Sequence, residues 1–158
     1  MSSRIFRLIA LFTVLSICVV SSGAQADTKA GGQSITVPDD ITTTTPDVLV
    51  ATTIGVSTNH DHTCVVNASA DAYYTDNSGG GELLFGLSMD TTSSTVAGSN
   101  RRLGFTQYQD PLKVVSTTYA FKNVKGPHTF YFSARKSANW VVLVTILSSS
   151  ITVVCTPS

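Results

Sequence analysis

The chain has 158 residues, with ten Lys+Arg against ten Asp+Glu, a formal net charge of zero and only 13% charged residues. This length fits one domain and little more. The charge argues against a nucleic-acid partner, because binding phosphates requires a surplus of clustered Lys and Arg.

Residues 1–26 have the order of a secretory signal peptide. Arg4 and Arg7 precede an apolar run of 13 residues, and small residues follow, with Ala24 and Ala26 at the −3 and −1 positions of a cleavage site. The run is short for a membrane span, which takes about 20 residues. We therefore predict cleavage after Ala26, a secreted, periplasmic or cell-surface protein, and no transmembrane segment after processing.

Cleavage changes both the charge and the cysteine count. Losing Arg4 and Arg7 leaves eight Lys+Arg against ten Asp+Glu, a formal charge of −2. Losing Cys18 leaves Cys64 and Cys155, which allow one intramolecular disulfide in an oxidising compartment. The alternative is a pair of thiols that are reduced or bonded between molecules. The loop-entropy model gives about 4 to 5 kcal/mol for this bond.

The mature chain is predicted to begin with a leader and to continue as strands. Residues 27–46 are poor in large apolar side chains and rich in Thr and Gly, so we expect a flexible leader with at most a short edge strand at 34–37. From residue 47 onward, apolar and polar residues alternate with the period of two of half-buried strands. The first segment places Val48, Val50 and Ile54 on one parity.

Seven or eight such segments follow one another in residues 47–156, with Gly, Pro, Asn and Asp between them. In residues 112–124 the apolar parity switches after Val114, which a bulge or a split into two strands would explain. In residues 140–155 it shifts at the serines 148–150, where we expect a bulge or bend. Without a 3.6-residue pattern, the sequence predicts a single all-β domain, an antiparallel β-sandwich of jelly-roll or Greek-key topology.

Three segments and a final Val-rich strand carry a family resemblance. VVNASA at 65–70, LLFGLSMD at 83–90 and GPHTFYF at 126–132 resemble the small secreted jelly rolls of the tumour-necrosis-factor-like kind. The resemblance covers residues 47–154. It implies a non-enzymatic extracellular module that self-associates, often as a trimer, through one sheet face.

One cluster has ligand-type residues. His60 and His62 alternate along the chain and could share a metal with His128, if the fold brings the three together. Cupins follow such a pair with Glu after three or four intervening residues, whereas Val66 and Asn67 occupy those positions here. A polar loop between two strands is the favoured interpretation, and no metal or cofactor is expected.

Catalytic motifs are not found. Gly-x-Ser-x-Gly and a reactive cysteine are absent, and Glu82 is the single Glu. Gly79-Gly80-Gly81 lacks the Lys that follows in a phosphate-binding loop and is interpreted as a turn. A Ser-His-Asp triad has no positive support, although the composition leaves it open. We expect a protein that is not an enzyme.

Aromatic side chains suggest a binding role as the alternative to a structural one. Tyr73 and Tyr131 have outward parity and could stack on sugars, with Arg101 as a partner for an anionic group. Ordinary surface tyrosines are the simpler interpretation. The main expectation is a secreted, non-catalytic β-sandwich with a structural or protein-binding role, self-associating, with protein or glycan partners rather than small metabolites. The alternatives are a carbohydrate-binding module or adhesin subunit, and a metal-dependent enzyme using the three histidines.

Overall fold

The chain folds into two antiparallel β-sheets that enclose one core. The computed structural model describes residues 28–36, 39–42, 44–74, 81–105, 112–137 and 144–158. The predicted signal peptide and residues 140–143 lie outside this part. The described strands are β1 Lys29–Ile35, β2 Asp39–Ile41, β3 Asp47–Gly55, β4 His62–Tyr74, β5 Gly81–Met89, β6 Arg101–Phe105, β7 Leu112–Val124, β8 Pro127–Lys136 and β9 Val144–Pro157.

The pairing is that of one long antiparallel hairpin rolled up on itself. β5 pairs with β6 at the tip, and then β4 pairs with β7, β3 with β8, and both β1 and β2 with β9. Rolling brings β4 beside β9 and β5 beside β8. The sheets have the orders β1-β9-β4-β7, with β2 also on β9, and β3-β8-β5-β6. This is the arrangement of a jelly roll, so the predicted fold class is confirmed.

The core consists of the inward-facing residues of both sheets. The alternation predicted from residue 47 onward holds in β4, because Cys64, Val66 and the alanines that follow on the same parity are buried. Phe121 of β7 meets Phe130 of β8 edge to face, with 5.3 Å between ring centroids, and so joins the two sheets. Phe130 is 1% exposed, and burying a side chain of this kind stabilises the fold by about 1.5–3 kcal/mol.

A disulfide lies on the inward side of the five-stranded sheet. Cys64 of β4 and Cys155 of β9 are directly opposite in register, and their sulfur atoms lie 2.04 Å apart. Both residues are completely buried. The bond therefore ties the last strand to the middle of its sheet.

Part of the segment expected to be a flexible leader forms strands. Lys29–Ile35 pairs with β9 along its whole length, and Asp39–Ile41 continues on the same neighbour. None of the residues of β1 is buried, so the apolar alternation that reveals a strand is missing from its sequence. Ile41 is completely buried and Ile35 packs against the core, so both side chains anchor the segment.

The parity conflicts have three different causes. A register irregularity between Val48 and Val50 turns Val48 outward, where it is 37% exposed, so its predicted inward position is wrong. In β9 the pairing skips Leu147, a bulge next to the serines where one was expected. In contrast, β7 is one strand, and Val114 breaks the pattern because it points outward and is 67% exposed.

Residues 91–100 cover part of the four-stranded sheet. Gly86 of β5 lies under this loop so closely that a Cβ atom there would be 2.6 Å from the Thr95 Cβ. The loop ends in a 3₁₀ turn, Ala97–Ser99, and the Ser99 hydroxyl accepts a hydrogen bond from the Leu87 amide at 2.8 Å. The Thr117 hydroxyl of β7 donates to the Ser99 carbonyl at 2.6 Å. The loop thus closes one side of the sandwich.

Candidate functional site

Exposed apolar side chains are concentrated on the outer side of the five-stranded sheet. Six of the seven exposed large hydrophobic residues in the described part of the chain lie on its strands β4, β7 and β9: Val65, Tyr73, Leu112, Val114, Leu147 and Val154. We call this surface the open face. From the row of Val65 to the row of Tyr73, it consists of these outward residues of the four neighbouring strands: Ala30, Gly32, Ser34, Thr145, Leu147, Ser148, Ser150, Thr152, Val154, Val65, Asn67, Ser69, Asp71, Tyr73, Leu112, Val114, Ser116, Thr118 and Ala120.

The register aligns like residues in rows across the strands of the open face. The first row is apolar and runs Ala30, Val154, Val65, Ala120. Two residues further along each strand, the second row reads Gly32, Thr152, Asn67, Thr118, and the third row is serine on all four strands, Ser34, Ser150, Ser69, Ser116. The serine row lies at the middle of the open face.

Small side chains make the middle of the open face low. A shallow depression of about 240 Å³ lies over the second and third rows. Its hydroxyls bond to neighbours in the same row. The Ser69 and Ser150 oxygens are 2.9 Å apart, and the Thr118 hydroxyl donates to the Asn67 amide oxygen at 2.7 Å. The open face therefore has a recessed centre lined by hydroxyl groups, with apolar residues at both ends.

The centre of the open face carries little charge. From the apolar row to the row of Asp71, Ser148 and Val114, Asp71 is the one ionisable side chain among the outward residues. The Ser148 hydroxyl donates to its carboxylate at 2.6 Å. With one hydrogen-bonded carboxylate and no cation in these rows, the open face has no strong field of either sign.

A second polar cluster lies at the rim, where β5 ends and β8 begins. His128 Nδ1 lies 2.5 Å from a carboxylate oxygen of Asp90, and His128 Nε2 lies 2.8 Å from the Lys125 carbonyl oxygen. Asp90 also accepts a hydrogen bond from the Thr129 amide at 2.9 Å. Because both ring nitrogens of His128 face acceptors, only the imidazolium form donates to both.

The cluster shifts the pKa values of both partners. The hydrogen bond to Asp90 raises the pKa of His128 above its usual 6.5, although partial desolvation opposes this. Desolvation also acts to raise the pKa of Asp90, but the Thr129 amide and His128 outweigh it and hold the pKa below 3.8. The ring nitrogen that would face a nucleophile in a Ser-His-Asp arrangement faces a backbone carbonyl here, so this pair is not arranged as a triad.

The three candidate histidines are not assembled as metal ligands. His62 is completely buried, and its Nδ1 lies 3.0 Å from the carbonyl oxygen of His60. Both nitrogens of His128 are engaged at the rim. Within the described residues, which include all three histidines, no group of three or more His, Cys, Asp or Glu is placed to hold a metal ion. The polar loop predicted for residues 57–63 is found at residues 57–61, whereas His62 and Thr63 already belong to β4.

The candidate ligand-binding residues lie on different surfaces. Tyr73 is on the open face and is 36% exposed. Tyr131 lies on the outer side of the four-stranded sheet, where it pairs with Ala51 and Ser88. Arg101 is exposed on β6 and donates to the Asn100 carbonyl at 3.0 Å. The structure therefore brings none of the three together in one site.

Sequence reasoning missed the open face as a unit. The alternation identified outward residues strand by strand, but the rows depend on the register between strands that are far apart in the chain. Val114 was the available signal. A large apolar residue on the polar parity of an otherwise regular strand indicates an exposed apolar surface.

Comparisons with known proteins leave the family open. No protein-family model matches the chain, and no curated protein matches it. Among solved structures, a chain of Desmodium yellow mottle tymovirus matches at 10% identity with a TM-score of 0.32, over 100% of this chain and 96% of that chain. A TM-score this low carries no argument, so the fold assignment rests on strand order and register. In the described residues, no helix is long and apolar enough to cross a membrane.

Proposed function

We propose that this protein is an exported, non-catalytic β-sandwich with a structural role, and that it binds protein through the open face. One observation carries the proposal. Nearly all exposed large apolar residues of the described chain lie on the strands of one sheet, around a low centre of hydroxyls. Exposed apolar surface that is gathered on one face, with polar groups beside it, is typical of protein interaction sites.

The chemistry of the remaining polar groups supports a binding role over catalysis. The histidine with a carboxylate partner, His128, uses its second nitrogen to bind backbone. On the open face, Ser69 and Ser150 bond to each other, Thr118 bonds to Asn67, and the one carboxylate in the central rows is bonded to Ser148. None of these hydrogen bonds involves a histidine that could act as a general base.

Export is supported by the sequence of the first 26 residues and by the cysteine pair. A disulfide between Cys64 and Cys155 persists in an oxidising compartment and is rare in the cytosol. Expression in the source cells, followed by N-terminal sequencing of the exported protein, tests this part. We expect a mature chain that begins at Asp27, and an intact chain retained in the cytoplasm would contradict export.

The binding role is tested by capture of exported proteins on the immobilised mature chain. Ser116→Lys places a charge on the open face, and Thr53→Lys is the matched control on the outer side of the four-stranded sheet, since both positions are exposed. We expect the wild type and Thr53→Lys to retain the same proteins, and Ser116→Lys to lose them. Equal retention by all three would contradict a role for the open face.

A further inference from the structure

We infer that the partner of the open face is a second copy of this chain, packed face to face about a two-fold axis that runs along the serine row. This rests on the proposed function and names its partner. The order of the rows favours this pairing. Apolar residues lie at both ends of the open face, and the serine row lies midway between them.

A two-fold axis along the serine row matches the outward residues of β4 in two copies by chemistry. Ser69 and its row pack on the same row of the second copy, and a hydroxyl can both donate and accept a hydrogen bond. Two rows to either side, Val65 comes opposite Tyr73 of the second copy, so the apolar ends meet. One row from the axis, Asn67 comes opposite Asp71 of the second copy, and an amide can donate to a carboxylate. This is the self-complementarity that an isologous interface requires.

The charges of the open face permit such a pairing. Asp71 is the one ionisable residue in the rows nearest the axis, and the two-fold operation places it opposite Asn67 rather than opposite its own copy. Like charges placed against each other across an interface cost several kcal/mol, and this arrangement avoids that cost. A lysine or an aspartate introduced at Ser69 would lack this protection, because residue 69 lies on the axis.

The area is sufficient for a specific dimer. From Val65 to Tyr73 the face extends eight residues along β4, or about 26 Å, and its four strands span about 19 Å. Each copy thus contributes about 500 Å² of flat area, and two copies bury about 1,000 Å² or more, the lower limit for a specific interface. The trimer implied by the tumour-necrosis-factor-like resemblance would need unlike surfaces to meet, whereas the rows of the open face are self-complementary.

Sedimentation velocity on the purified mature chain tests the inference by charge exchange at position 69. The wild type should form a dimer over a concentration series. Ser69→Lys and Ser69→Asp should each weaken dimerisation by roughly a hundredfold or more, because each variant opposes its own charge across the axis. An equimolar mixture of the two variants should form the dimer again, which also shows that both are folded. Thr53→Lys should behave as the wild type.

Three results would overturn the inference. They are a wild type that stays monomeric at its highest soluble concentration, a wild type that forms a trimer, and position-69 variants that dimerise as the wild type does. A failure here is distinct from a failure of the proposed function. If the wild type is monomeric and its capture of exported proteins still depends on Ser116, self-association is wrong and the protein-binding role stands. If capture ignores Ser116 as well, both are wrong.

Discussion

The two outer surfaces of the sandwich differ in how far other parts of the chain cover them. Over the four-stranded sheet, Thr95 and Asn100 lie against Gly86, and Arg102 forms an ion pair with Glu82 at 3.3 Å. Over the five-stranded sheet no described loop is packed in this way, and the strands expose Val65, Val114 and other apolar residues directly. Both sheets bury their inner side chains in the core, so formation of the core alone does not require this difference.

From this difference we infer that the outer side of the four-stranded sheet contributes to stability, whereas the open face serves binding. The four-stranded sheet uses contacts within the chain to cover part of its outer surface. The open face has an apolar and hydroxyl surface of the composition that a second protein would cover, and it keeps that surface flat by using small side chains. We therefore expect the disulfide and the packing on Gly86 to affect stability more than the serine row does.

The disulfide beneath the open face should have the largest effect. Replacing both Cys64 and Cys155 by Ala should lower the free energy of unfolding by about 2–5 kcal/mol, because the unfolded chain loses its cross-link. Urea unfolding measures the loss. Hydrogen exchange should quicken more in β4 and β9 than in β5 and β8, since the bond joins the first two strands. Reductant should destabilise the wild type and leave the double variant unchanged.

The packing of residues 91–100 on the four-stranded sheet should have the next-largest effect on stability. Gly86→Ala places a Cβ atom 2.6 Å from the Thr95 Cβ, so the loop must move, and we expect a loss of about 1–3 kcal/mol by thermal unfolding. Gly55→Ala is the matched control, because a Cβ atom there meets nothing within 4 Å. An equal effect of the two substitutions would mean that residues 91–100 do not pack on the sheet.

The rim pair should contribute a smaller, pH-dependent amount. Because the folded-state pKa of His128 is raised, its contribution is complete below the ordinary value of 6.5 and is lost as pH rises through the raised value. Because the pKa of Asp90 is lowered, its contribution is present above 3.8 and is lost as pH falls through the lowered value. The pair therefore stabilises most between these two ordinary values.

Asp90→Asn tests the pair with little change of shape. Asp90 has a φ of 58°, a conformation that Asn adopts readily, and the amide oxygen can still accept from Thr129. We expect a loss of up to about 1 kcal/mol between pH 4 and 6.5 that shrinks at higher pH, measured by urea unfolding across a pH series. His60→Gln, at an exposed histidine outside the pair, should leave the pH profile unchanged. A pH-independent loss in Asp90→Asn would contradict the charge-based account.

The serine row should have the smallest effect on stability. Ser150→Ala removes the hydroxyl that bonds to Ser69, a part-buried contact between neighbouring strands, and we expect a change within about 0.5 kcal/mol for the monomer. Thermal unfolding at low concentration measures it. A loss of several kcal/mol would mean that the serines serve folding, and the open face would then lose its argument for binding.

The sequence predicts the fold more completely than the site for a physical reason. Alternation within one strand reveals which residues are buried, and it gave the core parity of β4 and β5 directly. β1 was missed because a strand held by backbone hydrogen bonds, with Gly31 and Gly32 in its middle, carries no apolar period. The serine row was missed because its four members are brought together only by pairing between distant segments.

The most direct test of the account is covalent labelling of surface residues as the concentration of the mature chain is raised, read by mass spectrometry. A carbene reagent labels both outer surfaces in one experiment, so each serves as the control for the other. The account predicts that labelling of Val65 and Val114 on the open face falls with concentration, while labelling of Thr53 and Tyr131 on the other surface stays constant. Constant labelling of both surfaces, or a fall confined to Thr53 and Tyr131, would contradict it.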